Sequence, residues 1–318
     1  MPALRGEKGS CSMTSLDFGP LVLGGNTFGW TSDRDESFAV LDAFIAGGGR
    51  AIDTADVYSA WVPGNSGGES ETILGEWLAS RGTRDDVVIG TKVFQHPQRP
   101  GLHPDNVRAA VDDSLRRLQT DRIDLYYAHR DDPEVPQEDY VAVFDELVRA
   151  GKVRELGASS FEAGRLRSAV DIATREGLTP FTVSQDHYNL VERGIEHDLV
   201  PTLQELGIVE LPYWSLASGF LTGKYRPGVA VDSQRAEGAG AYLDDPRNVH
   251  LLEVLDGIAA DLGASVTSIS LAWLSAQPTV AAPIASARTV DQLEHLLEVS
   301  TVQLDAAQLS ALDEASRR

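Results

Sequence analysis

Three observations in the sequence predict an α/β fold, a (β/α)8 TIM barrel with an N-terminal β segment and extra C-terminal helices. Short apolar strand-like runs alternate with amphipathic helical runs along almost all of the 318 residues. Counting from Ala51 gives seven such strands, and the stretch at 21–23 supplies an eighth. No Pro/Gly/Ser-rich linker divides the chain, and no short repeat underlies the alternation. The length would suit two ordinary domains, but a single barrel routinely exceeds 250 residues.

The elements follow in order. Residues 16–23 read as an opening strand or hairpin that plugs the barrel bottom, closed by Gly24-Gly25-Asn26. Asp33 is a suitable N-cap for a helix whose apolar positions Phe38, Leu41, Phe44 and Ile45 recur at helical spacing, and Gly47-Gly48-Gly49 stops it. Strands are expected at 51–53, 87–91, 123–128, 153–157, 181–184, 208–211 and 280–283. Between them fall helices at 69–80, 105–118, 137–150, 161–176 and 195–206. A long irregular stretch to about 246 is followed by helices at 249–262 and 266–275, and the last strand by helices at 290–299 and 305–316.

Apolar residues make up 42% of the chain and charged residues 24%, the balance of a soluble globular protein with a sizeable core. A formal charge of −21 argues against a nucleic-acid binder, which would need a basic stripe, and against an anionic membrane surface as partner. The single cysteine, Cys11, excludes an intramolecular disulfide framework and any CxxC metal knuckle, and suits a reducing cytoplasmic compartment. No apolar run approaches the roughly 18 residues of a membrane span. Residues 1–14 are polar, with no apolar signal core, and are expected as a disordered leader with Met13 as an alternative start. Residues 15–318 then form one domain.

Catalytic groups of such barrels sit at the C-terminal strand ends. Here three successive ends offer Asp53 with Tyr58, then Lys92, then His129. A tyrosine ionises near about pH 10, so acid–base work at neutral pH calls for a nearby cation. Each residue has an ordinary structural explanation: Asp53 capping a turn, Tyr58 in a loop, Lys92 solvated, His129 hydrogen-bonded in a core. One chemistry accounts for all four.

The motifs Ile52-Asp53-Thr54-Ala55 with Tyr58, Gly90-Thr91-Lys92 and Asp124-Leu125-Tyr126-Tyr127-Ala128-His129 resemble the aldo-keto reductases. So do Gly68-Glu69-Ser70-Glu71, Val153-Arg154-Glu155-Leu156-Gly157-Ala158-Ser159, Gln185-Asp186-His187-Tyr188-Asn189-Leu190 and the run from Leu216 to Tyr225. The resemblance covers the chain from about Leu16 to the C-terminal helix. It implies reduction of an aldehyde or ketone, with Tyr58 as general acid, Lys92 (paired with Asp53) lowering the Tyr58 pKa, and His129 orienting the carbonyl.

The same resemblance implies an NADPH/NADP+ cofactor. Ser159, Ser160 and Gln185 would hold the nicotinamide carboxamide and Tyr213 would stack on its ring. Ser215, Leu216, Ser218, Gly219, Leu221 and Lys224 would pass over the pyrophosphate, and Ser286, Arg288 and Gln292 would serve the adenosine end. Ser160 stands where the family usually has asparagine, and Ala285 where many members have lysine. Gln292 and Leu296 also depart from the pattern, so NADH stays open as an alternative. Phe28, Trp30, Trp61, Phe94 and Trp214 are the expected substrate pocket, suiting a small aromatic or aliphatic carbonyl compound, with sugar-like carbonyls as a further option.

Glu210 is unexpected in a strand: it either faces the barrel with a buried cationic partner or lies at an exposed strand end. Two rival readings are a cofactor-binding redox-sensing subunit with little turnover, and a barrel hydrolase using Asp53 and Glu210. The first leaves the full acid–base set without a use; the second leaves Lys92 and His129 unexplained. GxGxxG, HExxH, GxSxG and P-loop patterns are absent, no metal cluster is expected, and the oligomeric state is open.

Overall fold

The computed structural model describes residues 13–233 and 235–317, so most of the expected leader, with Cys11, lies outside the described residues. Eight parallel strands form one sheet: β1 (Val22–Gly24), β2 (Ala51–Asp53), β3 (Val88–Val93), β4 (Ile123–Ala128), β5 (Val153–Ser159), β6 (Phe181–Gln185), β7 (Val209–Glu210) and β8 (Ile284–Ala285). Their spatial order is β8-β1-β2-β3-β4-β5-β6-β7. The sheet closes into a barrel where Glu210 bridges Val280, with Glu210 N–H donating to the Thr279 carbonyl (2.8 Å) and Ala281 N–H to the Glu210 carbonyl (2.9 Å).

Two expected strands are corrected here. The last strand is Ile284–Ala285, not 280–283. Pro283 has no N–H to donate and contributes only its carbonyl, to Val22 N–H at 3.0 Å, so regular pairing with β1 starts after it. The opening segment 16–23 is strand only at Val22–Gly24. Leu16 and Phe18 are buried without being strand, and close the barrel bottom against Val22, Leu125, Val183 and Leu211. The plug is apolar packing, not an added strand.

The helices are α1 (Arg34–Ala46), α2 (Glu69–Arg81), α3 (Pro104–Leu118), α4 (Gln137–Arg149), α5 (Ala163–Glu176), α6 (Leu199–Leu206), α7 (Ala236–Gly240), α8 (Pro246–Leu262), α9 (Val266–Ala276), α10 (Val290–Leu297) and α11 (Ala306–Ser316). Asp33 caps α1 in a reciprocal box with Glu36, and Gly47 ends it. Helix α6 starts later than expected because the Asp198 side chain accepts from Leu199 N–H, leaving Gly194–Glu196 as a separate 3-10 turn. Among the described residues no single helix is long and apolar enough to cross a membrane.

Two close approaches set the barrel's geometry. The Tyr127 ring fills the space a β-carbon would take at Gly157, with ring atoms 2.3 Å from that position, so a glycine on β5 lets an aromatic on β4 lie inside the barrel. At Gly75 a β-carbon would meet the Arg117 carbonyl at 2.1 Å and the Leu118 backbone at 2.7 Å, which locks α2 onto the end of α3. Gly75→Ala is expected to cost at least about 1–3 kcal/mol, the scale of overpacking, read from the denaturant midpoint. An unchanged midpoint would mean that the two helices separate freely.

Candidate active site

Strands β2, β3 and β4 deliver the expected four side chains to one end of the barrel. Asp53 is the last residue of β2, Lys92 lies in β3, His129 directly follows β4, and Tyr58 is in the loop after β2. Lys92 Nζ donates to Asp53 Oδ2 at 2.6 Å, to the Thr54 carbonyl at 2.7 Å and to Tyr58 Oη at 3.1 Å. All three ammonium protons are thus used, and the Lys92 side chain is fully enclosed. The other oxygen of Asp53 accepts from Gln185 Nε2 at 2.9 Å, tying β6 to β2 across the barrel. The Tyr58 and His129 rings lie edge to face with centroids 6.2 Å apart.

Burial pushes Lys92 toward its neutral form, but Asp53 and then Tyr58 more than offset this, so its pKa is raised and it stays charged. Burial and then the Lys92 charge hold His129 well below the usual imidazole range, so it is neutral. Its Nδ1 is enclosed without a hydrogen-bond partner among the described residues. The expected lowering of the Tyr58 pKa by Lys92 is present but outweighed. Burial raises it to about 12; Lys92 pulls the other way but does not overcome desolvation and the Asp53 charge. Tyr58 therefore holds its proton at neutral pH.

Asp53, Tyr58 and His129 face a cleft of about 790 Å³, with Lys92 enclosed behind them. Ser159, Ser160, Gln185, Tyr213, Ser215 and Leu216 line it where β5, β6 and β7 end, and Ser218, Gly219, Lys224, Ser286, Arg288 and Gln292 line the part beside β8. Leu221 does not: it is buried in the apolar cluster beneath that loop, its carbonyl accepting from Ser270 Oγ. Trp30, Trp61 and Trp214 stand at the mouth, Trp30 and Trp61 edge to face at 5.6 Å. Phe28 and Phe94 are not in the cleft. Phe28 is wholly buried in the main core, where its carbonyl accepts from Ser59 Oγ, and Phe94 packs against the same core. Their side chains turn inward, which position in a strand-end loop does not reveal.

Several lining residues had no place in the sequence reading. Asn26, which accepts from Ser286 Oγ at 2.7 Å, follows β1, and the strand-end rule applied to that strand would have found it. Gln95 and His295 also line the cleft, as does Arg235, whose guanidinium lies 5.5 Å from the centre of the Trp30 ring. Arg235 sits in the 225–245 loop and has no local signal. Glu210 meets neither of its two expectations: it is fully buried, with no cation acting on it, and lies against Asp186.

Of seven described non-glycine residues with left-handed φ, six lie in strand-end loops around the cleft: Ser59, Phe94, Ser160, Trp214, Ala217 and Ser218. Backbone strain is concentrated where the cleft is shaped. Ser160 has φ 55°, a conformation that asparagine tolerates best. Ser218 and Gly219 (φ 56° and 97°) bend the loop after β7 sharply, with Gly219 N–H and Leu221 N–H both donating to the Leu216 carbonyl.

Three cations line the same cleft. Arg235, Arg288 and Lys224 form no ion pair among the described residues, in a chain of net charge −21. Burial, then the neighbouring Arg288 charge, lowers the Arg235 pKa. Like charges left unpaired around one cleft fit a phosphorylated ligand.

The parallel barrel, with a buried Lys–Asp pair behind a tyrosine and a cleft lined by cations, carries the groups that the motifs of the sequence led one to expect. Residues 20–317 match the model of the aldo/keto reductase family, and the chain belongs to that family. It is 32% identical to an uncharacterized oxidoreductase of Bacillus subtilis over 95% of this chain and 93% of that one. It is similarly 32% identical to a norsolorinic acid reductase of Aspergillus flavus (96% and 79% covered), and 30% identical to an NADP(+) aryl-alcohol dehydrogenase of Phanerodontia chrysosporium (94% and 83%).

Removing the Lys92 charge tests the electrostatics. Lys92→Met leaves Asp53 buried without a counter-ion and is expected to cost about 3–5 kcal/mol of folding stability, measured by denaturant unfolding. A loss near zero would show that Asp53 is solvated or paired otherwise.

Proposed function

We propose that this chain reduces aldehydes or ketones to alcohols with NADPH, and that its preferred substrates are small aromatic carbonyl compounds. The observation that carries the reading is the 3.1 Å approach of Lys92 Nζ to a protonated Tyr58 Oη at the wall of the cleft. When bound, the reduced nicotinamide supplies the hydride. The chain's own residues do the rest. Tyr58 gives its phenolic proton to the oxygen of the substrate as negative charge develops there. Lys92 stabilises the phenolate left behind, and Asp53 keeps Lys92 charged. Neutral His129 donates to the same oxygen and holds the carbonyl in place.

Ser159, Ser160 and Gln185 have the hydroxyl and amide groups to hold a carboxamide, and Tyr213 the ring to stack on a planar heterocycle. Arg235 and Arg288 favour the additional phosphate of NADPH over NADH. The aromatic preference rests on Trp30, Trp61 and Trp214 at the mouth and on the aryl-alcohol dehydrogenase named above.

Tyr58→Phe is expected to lower turnover by about 10² to 10⁴, the scale of general acid–base catalysis, while cofactor affinity stays within twofold of about the wild-type value. Loss of the reduced-nicotinamide absorbance with a panel of aromatic, aliphatic and sugar aldehydes reads the rate, and fluorescence quenching reads the binding. A fully active Tyr58→Phe enzyme would remove Tyr58 from the mechanism. For the cofactor, Arg235→Met and Arg288→Met should each weaken NADPH binding by about tenfold, a charge-assisted contact's worth, and leave NADH nearly unaffected. Equal losses for both cofactors would place the arginines elsewhere than on the extra phosphate.

A further inference from the structure

Two acids that the proposed chemistry does not use lie at the ends of neighbouring strands. Asp186 directly follows β6 and Glu210 ends β7; they are 4% and 0% exposed. Glu210 Oε1 accepts from the Asp186 backbone N–H at 2.8 Å, and Ser184 Oγ gives its single proton to Asp186 Oδ2 at 2.5 Å. The Glu210 carboxyl group thus lies directly against the Asp186 main chain, and each acid acts on the protonation of the other. No protein donor is paired with Glu210 Oε2 among the described residues. Two ionised carboxylates are both acceptors and repel; the same contact becomes a bond once one of them carries a proton.

Nothing else neutralises the pair. The groups turned toward it are Ser184 of β6, the Ser160 backbone beyond β5, Tyr127 of β4, and Tyr213 beyond β7 with His187 stacked on it. The 279–282 segment packed on β7 brings Thr279 and no charge. Among the described residues, no lysine, arginine or histidine is a cause of either acid's shift.

The position of the pair gives it a task. Asp186 is the chain neighbour of Gln185, which holds Asp53, and its carbonyl accepts from Tyr213 N–H at 2.9 Å. We infer that Asp186 and Glu210 hold one proton between them, and that this carboxyl–carboxylate bond positions Gln185 and Tyr213 at the Asp53 end of the cleft. The cofactor half of this inference rests on the proposed function. Asp186 and Glu210 are positioning residues, because they reach the cleft only through their neighbours.

The sign of the pH effect follows. Burial is the first cause that raises both acids, Asp186 to about 6 and Glu210 well above the usual carboxylate range, with Asp186 adding to the rise of Glu210. Folded-state values above the unfolded ones mean the folded chain binds these protons more tightly. Stability contributed by the pair is therefore present at low pH and lost as pH rises through the folded values.

Thermal unfolding of the full chain without ligand, and NADPH affinity from quenching of tryptophan fluorescence, would be followed from about pH 6 to about pH 9. In wild type both should fall with rising pH, the affinity by about tenfold, the equivalent of one pKa unit. Glu210→Gln keeps an oxygen for the Asp186 N–H and supplies a permanent donor to its carboxylate, so both curves should flatten. Asp186→Asn should do the same and carries the test if the first variant does not fold.

Unfolding slopes unchanged in the variants would overturn the shared proton. Flattened unfolding with an unchanged affinity slope would overturn the positioning role. A wild type that binds no nicotinamide dinucleotide at any pH would sink the proposed function and the positioning role with it. The unfolding slopes would still decide the shared proton.

Discussion

An ammonium group with no access to water constrains this barrel more than any other feature. Lys92 would lose several kcal/mol to desolvation if left alone, so its surroundings must supply a counter-charge and a full set of acceptors. Asp53, the Thr54 carbonyl and Tyr58 Oη do so at 2.6, 2.7 and 3.1 Å. That requirement fixes the register of β2 on β3, where Asp53 pairs with Gly90 two residues before Lys92. It also reaches across the barrel, because the second Asp53 oxygen is held by Gln185 on β6. The ion pair is then both a structural joint and the electrostatic setting of the tyrosine above it.

The barrel interior handles its second pair of ionisable groups in a different way. At Asp53 the charge is kept and matched by an opposite charge. At Asp186 and Glu210 no cation is present among the described residues, and two acids lie against each other. In a low-dielectric interior an acid without a cation lowers its energy by keeping its proton. One pair sets an ammonium against a carboxylate; the other brings two acids together.

Charge is also unevenly spread. Although the chain has 48 acidic and 27 basic residues, Arg235, Arg288 and Lys224 have no carboxylate partner among the described residues around one cleft. Elsewhere most arginines are paired, such as Arg117 with the fully buried Glu71 at 2.6 Å and Arg84 with Asp124 at 2.7 Å. Left-handed backbone at Ser160, Trp214, Ala217 and Ser218 surrounds the same cleft. Strain and unpaired positive charge both oppose folding, and their coincidence at one place is what a binding site held in readiness looks like.

The amino-acid sequence by itself determined the alternation of strands and helices, the helix caps at Asp33 and Gly47, and the four polar residues at three strand ends. These follow from local periodicity, turn chemistry and the rule that a parallel barrel presents its C-terminal strand ends on one face. Tertiary structure alone decided the rest. Phe28 and Phe94 turned into the core although their loops border the cleft, and Leu221 went beneath its loop, because side-chain direction depends on neighbours from other strands. Arg235 came to the cleft on a loop with no pattern of its own. Glu210, unexplained along the chain, found its surroundings only when pairing of β7 with β6 set it against Asp186, 24 residues away. The pKa of Tyr58 likewise depends on how deeply it is enclosed, a sum over distant atoms that no local stretch of sequence contains.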